Sequence, residues 1–263
     1  MTDALSDQWR QSPTATVVPV MDPPDVDAFF TNHYFANRPV VLRGLAASWR
    51  AVSRWTPEYF AESFGDRTVE ITAGRDADPR FEDNFVAHRT EVAMRDFVKD
   101  VMDGTGNDRY LVAKNHVLQR PEFQTLLDDI RCPDGFLDPA GLRESAKLWF
   151  GPLGTVTPFH HDACNILFVQ IYGSKKVRMV EPHELPRLYN DRECFSPVDL
   201  DDIDLDRFPW MTDVPVAEAV VRPGDALLIP LGWWHWVKSL EASISLSFTG
   251  FALPGRPSIW RYR

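Results

Sequence analysis

Three side chains in this sequence could hold one metal ion. His160 and Asp162 stand two residues apart in TPFHHDACN, and His235 lies in the apolar, aromatic run IPLGWWHWV. Positions i and i+2 of an extended strand point to one face, so the imidazole of His160 and the carboxylate of Asp162 would converge. Two histidines and one carboxylate around an ion with open remaining positions form the donor set of non-haem iron(II) oxygenases. His-x-Asp alone is common and fits a surface or structural histidine equally well. Three neighbouring features favour the metal reading. His235 sits among Trp233, Trp234 and Trp236; the run after Asp162 is apolar enough for a barrel strand; and Lys175 opens the next strand just after Gly173. His161 should point away from His160 and Asp162, which excludes it from the ion.

The parity of Lys175 is informative. In KKVRMV, Lys176 and Arg178 alternate with Val177 and Met179, so the charged pair faces solvent and Lys175 falls on the inward face. An ammonium committed to a barrel interior needs a counter-charge. A cosubstrate carboxylate would supply one; alternatively the side chain, at the strand's end, snorkels back to water.

These residues need strands to position them. From about Ser145 the sequence breaks into short apolar stretches separated by turn residues: 147–150, 155–159, 166–172, 176–180, 217–221, 226–229, 234–239 and 242–249. Many short strands with frequent turns predict a mainly β double-sheet jelly roll, the cupin architecture. The segment from Glu184 to Pro215 is long for a loop and should carry function or local structure of its own. Its acidic run, Asp199, Asp201, Asp202, Asp204 and Asp206, lacks the glycine and terminal glutamate of a calcium loop and reads as a solvated face.

The first half is mixed. Asp22 before Pro23-Pro24 predicts a helix through about Tyr34, and Thr56-Pro57 a helix ending near Gly65. Thr90 is expected to cap a helix carrying Met94, Phe97, Val98 and Val101, and Pro121 to open another. Strands are expected at 40–42, 68–72 and 109–113, with a polar loop over 74–89. The expected organisation is an N-terminal arm over 1–21, a helical flank over 22–144, the barrel over 145–253 and a tail over 254–263.

With 263 residues and a formal net charge of −10, the chain is poorly suited to broad nucleic-acid binding, which requires a positive surface. No apolar run approaches a membrane span, and MTDALSDQWRQ has no secretory-signal character. The three cysteines, Cys132, Cys164 and Cys194, are widely spaced, as expected of reduced thiols in a cytoplasmic protein.

Four stretches, WFGPLGTVTPFHHD, NILFVQIYGSKKVRMVEP, RPGDALLIPLGWWHWVKSL and SISLSF, resemble in content and order the JmjC-type, cupin-like Fe(II)/2-oxoglutarate oxygenases. The likeness is strongest to the short hydroxylase branch that includes the asparaginyl hydroxylase of hypoxia-inducible factor. Weaker likeness upstream, through NRPVVLRGL and RYLVAKNHV, extends it over most of 25–251. The resemblance implies a double-stranded β-helix, with His160, Asp162 and His235 as iron ligands. It implies that Lys175, helped by Thr157 and Tyr110, binds the distal carboxylate of 2-oxoglutarate, with Ser247 nearby. The prolyl-hydroxylase-like branch places its anchoring base about ten residues after the distal histidine, where this chain has Ser245. Asn165 lies three rather than four residues past the acid, and little weight rests on it. The implied reaction consumes O2 and 2-oxoglutarate and hydroxylates an unactivated C–H bond of a protein or peptide side chain. Alternatives are a free amino acid or biosynthetic intermediate as substrate, or a non-catalytic cupin that binds a metal or ligand.

Overall fold

Alternation of side chains along the strands decides the layering. In SISLSF the serines at 243, 245 and 247 share one face and Ile244, Leu246 and Phe248 the other, so one face must meet a polar interior and the other an apolar layer. The computed structural model describes residues 17–131, 133, 135–190 and 192–253. Cys132 and the expected tail over 254–263 lie outside those residues.

β1 (Val20–Met21), β2 (Val40–Leu42), β5 (Lys147–Gly151), β7 (Ile166–Tyr172), β10 (Ala226–Ile229) and β12 (Ser243–Phe248) form one sheet in the order β1-β2-β10-β7-β12-β5. β6 (Val156–His161), β8 (Lys175–Val180), β9 (Ala217–Val221) and β11 (Trp234–Ser239) form a second, ordered β6-β11-β8-β9. β3 (Thr68–Thr72) and β4 (Arg89–Ala93) make a separate antiparallel pair. From β5 to β8 successive strands alternate between the two large sheets, which is the winding of a double-stranded β-helix.

Three apolar clusters hold these layers. Between the sheets, Val41, Phe168, Leu227 and Ile229 meet Val177, Met179 and Val237. On its outer face the larger sheet presents Phe150, Val169, Leu246 and Phe248 to Trp55, to Phe60 and Phe64 of the helix Pro57–Phe64, and to Phe97 of the helix Met94–Asp103. Both faces of β7 are therefore covered, which is why ILFVQIY is an almost continuous apolar run. The outer face of the smaller sheet (Phe159, Trp234, Trp236) is covered by Leu188, Val198, Leu200, Phe208 and Met211. The 184–215 segment is thus the cover of that sheet.

Asp201 fastens this cover. It pairs with Lys176, Arg178 and Lys238, all projecting outward from the smaller sheet. Two expectations change accordingly: Lys176 and Arg178 face outward but onto Asp201 rather than open solvent, and Asp201 leaves the solvated acidic run. Asp202, Asp204 and Asp206 are exposed.

Thr56 caps its helix, accepting from the Tyr59 amide. Elsewhere tertiary pairing overrides local signals. Thr90 caps no helix; it lies in β4 opposite Ile71, and the helix begins at Met94. The first helix is capped by Asp25, not Asp22, and runs over Val26–Phe29 before a π-turn at Phe30–Tyr34. In the stretch expected as a strand over 109–113, Tyr110 and Leu111 form single bridges, to Thr72 and Phe150. The expected arm is ordered where described: Val18 is buried, and β1 pairs in parallel with β2. Among the described residues no helix is long and apolar enough to cross a membrane.

Candidate metal centre

β6 and β11 bring the three candidate ligands together. Their antiparallel register places His235 opposite His160, with an irregularity before Val237 pairs with Thr157. The extra residue in β6 is Pro158, which has no N–H to lose at a bulge on an edge strand. Phe159 packs outward in the Trp234–Trp236 cluster, so the bulge lets Thr157 and His160, three apart, both face the interior. His161 packs outward on Trp234, with ring centroids 4.7 Å apart.

The ligating atoms of His160, Asp162 and His235 all lie within 4.8 Å of one another. Asp162 Oδ2 is 3.6 Å from His160 Nε2 and 3.5 Å from His235 Nε2. These separations are too long for good hydrogen bonds and leave room for an ion between the donors. The other ring nitrogens are committed: Nδ1 of His160 lies 2.8 Å from the Pro158 carbonyl and Nδ1 of His235 3.0 Å from that of Trp233. A carbonyl only accepts, so each Nδ1 carries the proton and each Nε2 keeps a lone pair aimed at the gap. Burial works to raise the Asp162 carboxyl, but the adjoining histidines outweigh it and hold the group down at about 2. Burial, followed by the charge of His160, pushes His235 down to about 4. An ionised acid and a neutral imidazole are the forms that bind metal. Burial also disfavours charge on His160, yet Asp162 outweighs it and holds that imidazole above its ordinary value. This donor set fits a divalent ion such as iron(II).

Lys175 is on the barrel's inward face, 1% exposed. Its Nζ donates to the Tyr110 hydroxyl at 2.8 Å, and among the described residues no acidic partner accompanies it. Burial pulls its pKa down to about 7. The Thr157 side chain lies close enough to favour the ionised form of Tyr110 against burial, so Lys175, Tyr110 and Thr157 form one polar cluster inside the barrel. Tyr110 packs against Gly151, where a Cβ would come within 2.6 Å of its ring. Ser247 also faces inward but accepts from Trp149 Nε1 at 3.0 Å, and Trp149 in turn packs against Tyr110. Asn165 is drawn elsewhere: its Oδ1 accepts from the Leu231 amide and fastens the turn before Trp233.

Charge balance tests the fit of a dicarboxylate. A divalent ion, less the Asp162 carboxylate and plus a Lys175 ammonium, leaves two positive charges in a buried space. A chelating 2-oxo acid with a second carboxylate neutralises both.

Two features were not legible in the sequence. Phe195, from the 184–215 segment, stacks on His160 with centroids 5.6 Å apart, while Cys194 and Ser196 pair with the edge of β6. Arg75, inside the polar stretch 74–89, is buried beside Tyr110. Neither residue carries a local pattern that announces its position.

Residues 26–248 match the family described as the cupin-like domain. The chain belongs to the cupin-like JmjC family. Members of this family depend on Fe(II), 2-oxoglutarate and O2. The JmjC chain is 31% identical over 231 residues to lysine-specific demethylase JMJ30 of Arabidopsis thaliana, covering 85% of itself and 52% of that relative. It is 32% identical over 241 residues to lysine-specific demethylase 8 of Danio rerio, covering 88% and 57%. It is 26% identical over 265 residues to tRNA wybutosine-synthesizing protein 5 of Gallus gallus, covering 94% and 80%. The JmjC chain therefore spans little more than half the length of the demethylase-named relatives.

Proposed function

We propose that this protein is an Fe(II)- and 2-oxoglutarate-dependent oxygenase that hydroxylates a C–H bond of a protein or peptide side chain. The observation that carries the reading is the pairing of two sites in one barrel: a His160–Asp162–His235 donor set, and a buried Lys175 with no acidic partner among the described residues. His160 and His235 offer Nε2, and Asp162 offers its carboxylate, with each imidazole oriented by a backbone carbonyl. Lys175, with the hydroxyls of Tyr110 and Thr157, receives and orients the cosubstrate's distal carboxylate. When bound, the iron and 2-oxoglutarate supply, with O2, the oxidising power for C–H hydroxylation as the keto acid becomes succinate and CO2. Phe195 stacks on the His160 ring and helps fix the orientation of that imidazole. The free thiols Cys164 and Cys194 support a reducing, cytoplasmic setting.

The test is succinate formation from 2-oxoglutarate with iron and ascorbate, followed by mass spectrometry of enzyme-treated protein extract. Succinate is expected without added substrate, together with one-oxygen gains on peptides. Loss of N-methyl groups from lysine would point instead to demethylation, and one-oxygen gains confined to tRNA or free amino acids would change the substrate class. No succinate, with tight Zn(II) binding unaffected by 2-oxoglutarate, would leave a non-catalytic cupin.

A further inference from the structure

Arg75 is 2% exposed, although it opens only a short 3-10 turn, Arg75–Ala77, within the polar stretch 74–89. Its Nη2 donates to the Val156 carbonyl at 2.9 Å, one residue before Thr157. Glu82 lies 3.6 Å from the same nitrogen and is shared with Lys114 at 3.3 Å. The guanidinium carbon lies 4.2 Å from the centroid of Phe81 and 5.1 Å from that of Tyr110. Nη1 is enclosed with no hydrogen-bond partner among the described residues. A buried guanidinium with an unpaired N–H disfavours the folded state, so stability alone does not account for it.

The Tyr110 ring has two buried cations as neighbours. Lys175 Nζ is 5.3 Å from its centroid and donates to its hydroxyl; Arg75 is the second. Arg75 also grips the start of β6, the strand that carries Thr157. One side chain thus touches the supports of both hydroxyls in the Lys175 cluster. The geometry points to Arg75 as a positioning residue: it holds Tyr110 and the start of β6 so that the two hydroxyls and the Lys175 ammonium converge on one incoming carboxylate. This rests on the proposal that the pocket takes 2-oxoglutarate.

The test is a binding cycle without turnover. Affinity for 2-oxoglutarate is measured calorimetrically on Mn(II)-loaded protein for wild type, Arg75→Met, Tyr110→Phe and the double variant. Arg75→Met keeps the packing and removes the buried charge. It is expected to raise Kd about tenfold, the scale of one lost desolvated cation–π contact. Metal content should be unchanged, the melting temperature should not fall, and Arg75→Lys should recover part of the affinity. Because Arg75 acts through Tyr110 as well as through β6, its substitution should raise Kd by clearly less in the Tyr110→Phe background than in wild type. Should Arg75→Met fail to fold, Phe81→Leu, which opens one side of the guanidinium clamp, carries the same cycle with a smaller shift. A variant with lowered melting temperature and wild-type affinity, or equal effects in both backgrounds, would reduce Arg75 to a loop tie and overturn the assignment. Wild-type protein that binds Mn(II) but no 2-oxoglutarate overturns both this assignment and the functional reading beneath it.

Discussion

Lys175 gives the sharpest quantitative expectation. Its ordinary pKa of 10.5 falls to about 7 in the folded protein because burial disfavours the ammonium, and no carboxylate among the described residues offsets that cost. A carboxylate bound beside it restores the charged form, so binding should draw a proton onto the protein whenever the pH lies above about 7. By proton linkage, affinity is full below about pH 7 and declines above it, by up to about tenfold per pH unit. Lys175→Met should abolish the pH dependence and weaken binding by about 2–5 kcal/mol at low pH, the cost of leaving one partner of a buried charged pair alone. Without ligand the variant should be more stable than wild type below about pH 7. There the wild type carries the full penalty of about 5 kcal/mol for its depressed pKa, a penalty that fades as pH rises toward the ordinary lysine value. The assay is calorimetric titration of Mn(II)-loaded protein with 2-oxoglutarate between about pH 6.5 and 8.5, in two buffers of different ionisation enthalpy, to count protons. A flat wild-type affinity with no proton uptake would refute the assignment of Lys175 as the anchor.

Gly151→Ala places a methyl within 2.6 Å of the Tyr110 ring and 2.9 Å of Thr155. It should destabilise the fold by about 1–3 kcal/mol through overpacking and weaken 2-oxoglutarate binding while metal content stays at the wild-type level; chemical unfolding and the same titration check both effects. Asp201→Ala tests the clasp over the smaller sheet. Hydrogen bonds from Lys176 and then Lys238 hold this carboxylate down at about 2 from an ordinary 3.8. It should therefore contribute about 2 kcal/mol that is present above pH 4 and lost as pH falls through about 2. Urea unfolding of wild type and variant at neutral pH and near pH 2 should show the difference shrink; a constant difference would mean that packing, not charge, carries the effect.

Much of the barrel was legible because parity is a local property of β sequence. The alternation in KKVRMV put Lys175 inside, and SISLSF separated serines from apolar residues, before any partner strand was known. The resemblance supplied Thr157 and Tyr110, and the structure gathers both with Lys175, Tyr110 through a direct hydrogen bond. What escaped depends on long-range pairing. Thr90 has the chemistry of a helix cap, yet its backbone is taken by Ile71 across a hairpin. Arg75 looks like any loop arginine, because nothing near it in sequence shows that Tyr110, Phe81 and Val156 will close around it. The short helix Arg50–Arg54 had no cap or periodic signal; Trp49 at its start offers no side-chain cap. Asp201 differs from its exposed acidic neighbours only through the three cations that the smaller sheet presents to it.

The central claim is that His160, Asp162 and His235 hold an iron(II) that a 2-oxo acid chelates. Anaerobic titration of the protein with Fe(II) and then 2-oxoglutarate, followed by visible absorption, tests it most directly. Chelation should produce a charge-transfer band that saturates at one equivalent of each in wild type and is absent from Asp162→Ala and His235→Ala. A band of equal strength in those variants, or none in wild type that has bound its iron, would contradict the claim.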